Sequence, residues 1–312
     1  MSRTSRRTFL RSLAVLAAAT TLPACGVLCP GGGSAPRRIV VLGDPHLPGP
    51  NLAAKEQLRA QVDSWDDVDL LVAMGDVCEI DGNEDEYAAV RAYFAAMRTP
   101  HVAISGNHDY YFRDMADTEG HYRISPPDEQ AVKLERFRRT FNLRRLYSSR
   151  RLGGYLLVFL STDHQKFGTG IGPEQQVWLR RLLARNRRTP TIVFFHAPLR
   201  GTQAKFRHYI DRPSAIAQPE GAVHGLLAAN PQVFLWVSGH THTPPTEPSF
   251  AAPINRYDGR VTNIHSTDLR GDTLWTNSLY LHPDRVEVRT FDHTANQWLP
   301  HLDRTITPPL LP

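Results

Sequence analysis

From Arg37 onward the chain alternates short, unbroken apolar runs with longer segments of helical period. Residues 39–42, 70–74, 102–105, 154–161, 192–195 and 233–238 carry no charge and are rich in Val, Ile, Leu and Phe, which reads as strands buried on both faces. Between them, residues 52–65, 84–97, 128–141, 173–186 and 223–229 have the spacing of helices, and Pro173 followed by Glu174 marks a helix start. Residues 260–264, 276–281 and 286–291 read as later strands. Strand–helix alternation followed by strands suits two sheets packed together with helices outside. No repeat is present, and residues 37–312 are within the range of one large α/β domain.

Five of these runs end on metal-liking side chains next to a small or turn residue: Asp44-Pro45-His46, Gly75-Asp76, Gly106-Asn107-His108-Asp109, His196, and Gly239-His240-Thr241-His242. Ligands of open α/β sheets bind outside the carboxyl ends of the strands, so residues distant in sequence are expected to converge on one rim. Asp44, His46, Asp76, Asn107, His196, His240 and His242 make an oxygen and nitrogen set with no thiolate, which suits Mn, Fe or Zn. Seven are too many for one tetrahedral ion, but they suffice for two divalent or trivalent transition-metal ions about 3.5–4 Å apart with one carboxylate shared. Gly75, Gly106 and Gly239 are expected to supply positive φ where the chain turns inward.

The ordered set Asp-x-His, Gly-Asp, Gly-Asn-His-Asp, His, Gly-His-x-His resembles the calcineurin-like metallophosphoesterases, over Asp44 to His242. The resemblance implies an αββα sandwich of two mixed sheets flanked by helices. It also implies phosphoester hydrolysis by attack of a metal-bridging hydroxide. Asp44, His46, Asp76 and His242 would hold one ion, Asp76, Asn107, His196 and His240 the other, with Asp76 the bridge. His108 matches a histidine outside the ligand set that stabilises the phosphoryl group or protonates the leaving oxygen, and Asp109 would orient it. The alternatives are a phosphodiesterase acting on cyclic nucleotides or other diesters, and a binding module on a degenerate phosphoesterase fold. Against the binding module stands the intact ligand set.

Departures narrow the resemblance. Purple acid phosphatases carry a tyrosine three residues after the Asp of the second motif and a Glu closing the third; this chain has Glu79 and Asp109, so a purple iron–tyrosinate centre is not expected. Lipid A precursor hydrolases have Arg in place of His108. Among the other histidines, all read as surface or packing residues, His164 and His208 are the ones expected at the mouth of the site. The loop 199–221 lies between two ligand motifs and carries Arg200, Lys205, Arg207, His208 and Arg212. A long loop there is usually a binding loop or lid, and its bases suit either an anionic ester or plain solubility. The other loop, 244–253, holds four prolines.

The N-terminus carries a separate signal. Arg6-Arg7-Thr8-Phe9-Leu10 precedes an apolar stretch over 13–22, and no acid occurs before Asp44. Residues 1–24 therefore resemble a signal peptide read by the twin-arginine translocase, too short for a membrane span. Leu22-Pro23-Ala24-Cys25 is similar to a lipobox, so Cys25 is a candidate lipid anchor. Residues 25–36, rich in Gly and Pro, read as a tether. Export to the periplasm or cell envelope follows as the expectation, either anchored or soluble. Arg3, Arg6, Arg7 and Arg11 belong to the leader, which leaves 32 of the 36 Lys+Arg against 31 Asp+Glu. No nucleic-acid patch is implied, and the basic run 136–145 reads as a solvated face. The substrate is expected to be a small-molecule or lipid phosphoester. Of three cysteines, Cys78 reads as a small buried residue, and a Cys29–Cys78 disulfide is permitted but has no support.

Overall fold

Each apolar run sends alternate residues into two different cores, which is why it reads as unbroken. In β1 (Arg37–Leu42), Ile39 and Val41 face a core between two sheets while Val40 and Leu42 face helices. The computed structural model describes residues 35–311; the expected leader, Cys25, Cys29 and the tether up to residue 34 lie outside them. The remaining strands are β2 (Val68–Ala73), β3 (His101–Ala103), β4 (Ser148–Leu152), β5 (Tyr155–Leu160), β6 (Thr191–Phe195), β7 (Val233–Ser238), β8 (Arg256–Tyr257), β9 (Val261–His265), β10 (Trp275–Leu281), β11 (Val286–Asp292), β12 (Gln297–Trp298) and β13 (Arg304–Ile306). The helices are α1 (Leu52–Val62), α2 (Glu84–Ala95), α3 (Pro127–Thr140), α4 (Pro173–Arg185) and α5 (Glu220–Ala228).

One sheet runs β12-β11-β10-β1-β2-β3 with β13 beside β11, and the other runs β4-β5-β6-β7-β9-β8. The parallel neighbours β1-β2-β3 and β5-β6-β7-β9 carry the site, while β10 closes on β1 antiparallel. Between the sheets Ile39, Val41, Leu70 and Val72 meet Leu157, Phe159, Ile192 and Phe194. Outside the first sheet, Leu58, Tyr87, Phe94 and Phe137 of α1, α2 and α3 cover Val40, Leu71 and Ala73. Outside the second, Leu179, Leu183, Val223 and Leu227 of α4 and α5 cover Val158, Val193 and Trp236. The architecture is the αββα sandwich, with four layers and three apolar seams. Among the described residues no helix is long and apolar enough to cross a membrane.

Four strands escaped the sequence pattern. β4 has the sequence SSRRL, pairs with β5 at the edge of its sheet and leaves Arg150 and Arg151 exposed, as suits an edge guarded against further pairing. The two-residue β8 and β12 and the short β13 offer no periodicity to read. On the run 136–145 the surface carries ion pairs: Arg136 pairs with Glu84 at 2.7 Å, and Arg138 and Arg139 both pair with Glu135.

Two histidines tie the fold to pH. Burial pushes His265 down to about 4, with Nε2–H donated to the Thr202 carbonyl at 2.9 Å. Burial, aided by the Arg38 charge, pushes His293 down to about 3. Both are held neutral in the fold. Below the ordinary histidine value of 6.5 the unfolded chain takes up protons that these two native histidines refuse, so the stability they contribute is whole above pH 6.5 and falls toward pH 4. The slope approaches about 1.4 kcal/mol per unit for each histidine. Urea unfolding at pH 7.5 and 5 checks this: the change in stability on acidification should be less unfavourable in the His265→Gln, His293→Gln protein than in the parent. An equal loss in both rejects the assignment.

Candidate metal centre

The seven sequence-predicted ligands come together at the carboxyl ends of β1, β2, β3, β6 and β7, drawn from both sheets. Ligand atoms of Asp44, His46, Asp76 and His242 all lie within 4.8 Å of one another, and so do those of Asp76, His196 and His240. Asp76 belongs to both groups. Asn107 joins the second through Oδ1, 3.1 Å from His196 Nε2.

Every imidazole is held by one nitrogen and turned inward by the other. His46 donates Nδ1–H to the Cys78 carbonyl at 3.2 Å, and His196 donates Nδ1–H to the Met74 carbonyl at 2.8 Å. His240 donates Nε2–H to the Ser214 carbonyl at 2.8 Å, and His242 Nδ1 lies 3.3 Å from Asp268 Oδ2. The ring nitrogens left over face the clusters: His46 Nε2 and His242 Nε2 are 3.3 Å apart, and His196 Nε2 and His240 Nδ1 are 3.1 Å apart. Outer partners of this kind fix the tautomer of a metal-binding histidine.

Three further observations fit cations to this donor set. Asp44 Oδ1 is buried with no hydrogen-bond partner, while Oδ2 accepts the His240 N–H at 2.8 Å. A buried carboxylate oxygen without a donor is costly unless a cation meets it. Burial opposes charge on His196, yet Asp76 and Asp44 raise it to about 9, so the field here favours positive charge. Conversely, burial and the His196 charge lower His240 to about 3, which leaves it a neutral donor.

The backbone corrects one expectation. Gly75 does take positive φ, at 91°, but Gly106 and Gly239 do not: they are small because a Cβ would collide with Asp76 Oδ1 and with Asp44 Oδ1 respectively. The left-handed conformations fall on the candidate ligands, with φ of 46° at His46, 48° at Asp76, 64° at His240 and 49° at His242. Such residues cost about 1–3 kcal/mol each and persist where the surroundings over-determine them.

Asp109 also departs from its expected role. Its carboxyl is buried and accepts from the Cys78 and Gly106 amides at 2.9 and 2.7 Å, so it fixes the two ligand loops to each other. Burial and the Asp76 charge push it up to about 8. What orients His108 is the Ile80 carbonyl, 2.6 Å from Nδ1, while the His108 N–H donates to Asp76 Oδ1 at 2.8 Å. Cys78 is buried as expected.

A cavity of about 570 Å³ opens over the cluster, with Asp76, Asn107, His108, His240 and His242 in its lining. His164 and His208, expected at its mouth, do not line it; their neighbours Lys166, Phe167 and Tyr209 do. From the loop 199–221 the cavity takes Tyr209, Pro213 and Ser214 and none of the basic residues, and Arg200 is paired with Glu220 at 2.5 Å. Sequence reasoning missed Asp268 and Ser214. Asp268 follows the end of β9, so the rule of strand then ligand, extended to a sixth strand, would have found it. Ser214 acts through its carbonyl, which no side-chain pattern announces.

Comparison with solved structures finds this fold at low identity. A dimetal phosphatase from Danio rerio is 16% identical, with a TM-score of 0.57 over 88% of this chain and 100% of that one. Purple acid phosphatase PPD1 from yellow lupin (Lupinus luteus) is 15% identical, with a TM-score of 0.61 over 88% of this chain and 54% of the lupin chain. GAP50, the anchor in the inner membrane complex of Plasmodium, is 13% identical, with a TM-score of 0.53 over 88% and 90%. Comparison with curated protein sequences finds no match. The sequence profile of the calcineurin-like phosphoesterases matches residues 37–244, two-thirds of the chain and all five ligand motifs. The chain belongs to the calcineurin-like phosphoesterase family.

Proposed function

We propose that the protein is an exported, dinuclear-metal phosphoester hydrolase. One observation carries the hydrolase reading: seven donors from five strand ends of two sheets meet in two clusters that share Asp76. Asp44, His46, Asp76 and His242 would hold one ion, and Asp76, Asn107, His196 and His240 the other. Bound there, two ions supply an acidified water and neutralise charge on the phosphoryl oxygens.

The chain's own residues do the rest. Asp76 places its two oxygens between the clusters, with Oδ1 also anchored by the His108 N–H and Oδ2 3.3 Å from His196 Nε2. His108 spends Nδ1 on the Ile80 carbonyl, so Nε2 is the nitrogen left to give a proton to the leaving oxygen. Burial lowers His108, which makes it a stronger acid once protonated. Asp109 keeps the His108 loop registered on the Cys78 loop.

The test is metal content of the purified protein, followed by assay of phosphomonoesters, phosphodiesters, cyclic nucleotides and phospholipids with Mn, Zn and Fe added separately. Near-stoichiometric binding of two ions and turnover of at least one class is expected. Failure to bind more than traces, with no turnover, would favour a binding module instead.

For export the support is Arg6-Arg7 ahead of the apolar stretch 13–22. Changing both arginines to lysine is expected to strand the folded precursor in the cytoplasm, because the translocase reads the guanidinium pair as an address. General secretion tolerates that change, since charge and apolar core both survive it. Undiminished export of the Lys-Lys protein would refute the twin-arginine route. Radioactive fatty-acid labelling that depends on Cys25 would establish the anchor.

A further inference from the structure

The walls of the cavity over the cluster differ in character from its floor. Among the lining residues Lys166 is the one with a permanent positive charge and Asp76 the one acid. The rest of the wall is largely rings and hydrocarbon: Tyr111, Phe112, Ile124, Phe167, Tyr209 and Pro213. The Tyr111 hydroxyl is already spent on the Lys166 carbonyl at 2.9 Å. Above the ligand cluster the wall offers Lys166 as its single permanent cation, fewer than a di- or triphosphate chain would need.

The rings are ordered outward from His108. Its imidazole meets Phe112 edge-on at 5.3 Å and Tyr122 at 5.7 Å, and Phe112 meets Tyr122 at 4.8 Å. Tyr122 and Ile124 then stand in solvent, 55% and 58% exposed, in a chain whose large apolar side chains are mostly buried. Exposed apolar groups that continue a cavity wall mark a binding surface. His108 thus stands at the inner end of this face, between it and the ligand cluster.

Resting on the hydrolase reading, we infer that the physiological substrate is a phosphoester with a single phosphoryl group whose leaving group carries a flat aromatic ring system. The ring is taken among the lining rings Phe112, Phe167 and Tyr209, with Tyr122 packed beyond Phe112. Ring faces and edges at these spacings favour another aromatic over an alkyl group of equal area, by up to about tenfold per good contact. An aryl alcohol and a nucleobase-bearing alcohol share this chemistry. A long acyl chain and a bare polyol do not.

Metal-loaded protein is given 2-naphthylmethyl, cyclohexylmethyl, decyl and methyl phosphate, all esters of primary alcohols with leaving groups of similar intrinsic reactivity. A nucleoside 5′-monophosphate distinguishes the two aromatic sources. We expect kcat/KM for the naphthylmethyl ester to exceed that for the cyclohexylmethyl ester at least tenfold. In Phe167→Leu and Tyr209→Leu, which keep apolar bulk and remove a ring, this ratio falls toward one. Binding of 2-naphthylmethylphosphonate, followed by quenching of the naphthalene fluorescence, gives a second readout independent of turnover.

A ratio near one in the parent, or a preference for the decyl ester, overturns the inference and leaves the hydrolase reading standing. If no ester is turned over but the phosphonate binds and Tyr209→Leu weakens it, the hydrolase reading fails and the aromatic site stands. Neither turnover nor binding sinks both.

Discussion

Asp76→Ala is expected to abolish phosphoester hydrolysis and to remove most bound metal. Asp76 is the one carboxylate among the described residues that belongs to both clusters, and a neutral water in its place would bring no bridging charge. Its loss would also leave His196 Nε2 and the His108 N–H without the oxygen they now meet at 3.3 and 2.8 Å. Alanine is strained in the left-handed backbone at this position, φ 48°, by about 1–2 kcal/mol. Asp76→Asn is therefore the companion variant, since Asn tolerates that region and keeps the shape while removing the bridging charge. Metal by mass spectrometry, thermal unfolding and turnover should be measured on both. Near-normal turnover in metal-replete Asp76→Ala protein would end the two-metal assignment.

His108→Ala should behave differently: both ions retained, kcat lowered on the order of 10²–10⁴-fold, as for a lost general acid. His108 lines the cavity beside the ligands, yet its ring is tied to the Ile80 carbonyl and belongs to neither metal cluster. Because the lost proton matters less when the leaving oxygen is a weaker base, the deficit should shrink for aryl esters relative to alkyl esters. A variant that loses metal instead would make His108 a ligand. A deficit equal for all leaving groups would make it a phosphoryl-binding residue and not an acid. Asp109→Asn should not mimic it through the imidazole, since Asp109 holds the Cys78 and Gly106 amides.

The strands β1, β2, β5, β6 and β7 were legible in the sequence because a strand buried on both faces must be apolar at every position. The ligand motifs were legible because parallel strands end on one rim, so position after a strand already implies proximity. β4 was not, since an edge strand with polar faces has no burial to record; nor was the length of α5, whose first turn begins at Glu220 before the apolar spacing starts.

The tertiary structure decided what depends on partners far apart in the chain. It gave the orientation of His108 to a backbone carbonyl 28 residues away and left Asp109 tying two loops together. It set Asp268 behind His242 and Ser214 behind His240. It also put the left-handed strain on His46, Asp76, His240 and His242 themselves. The cavity wall likewise came from Phe167 and Tyr209, and not from their sequence neighbours His164 and His208, which the residue types single out. Sequence determined which residues are buried and which follow a strand, because burial and periodicity are local. Hydrogen-bond partners, ring stacking and the chemistry of a cavity are products of packing, and only the packed chain could assign them.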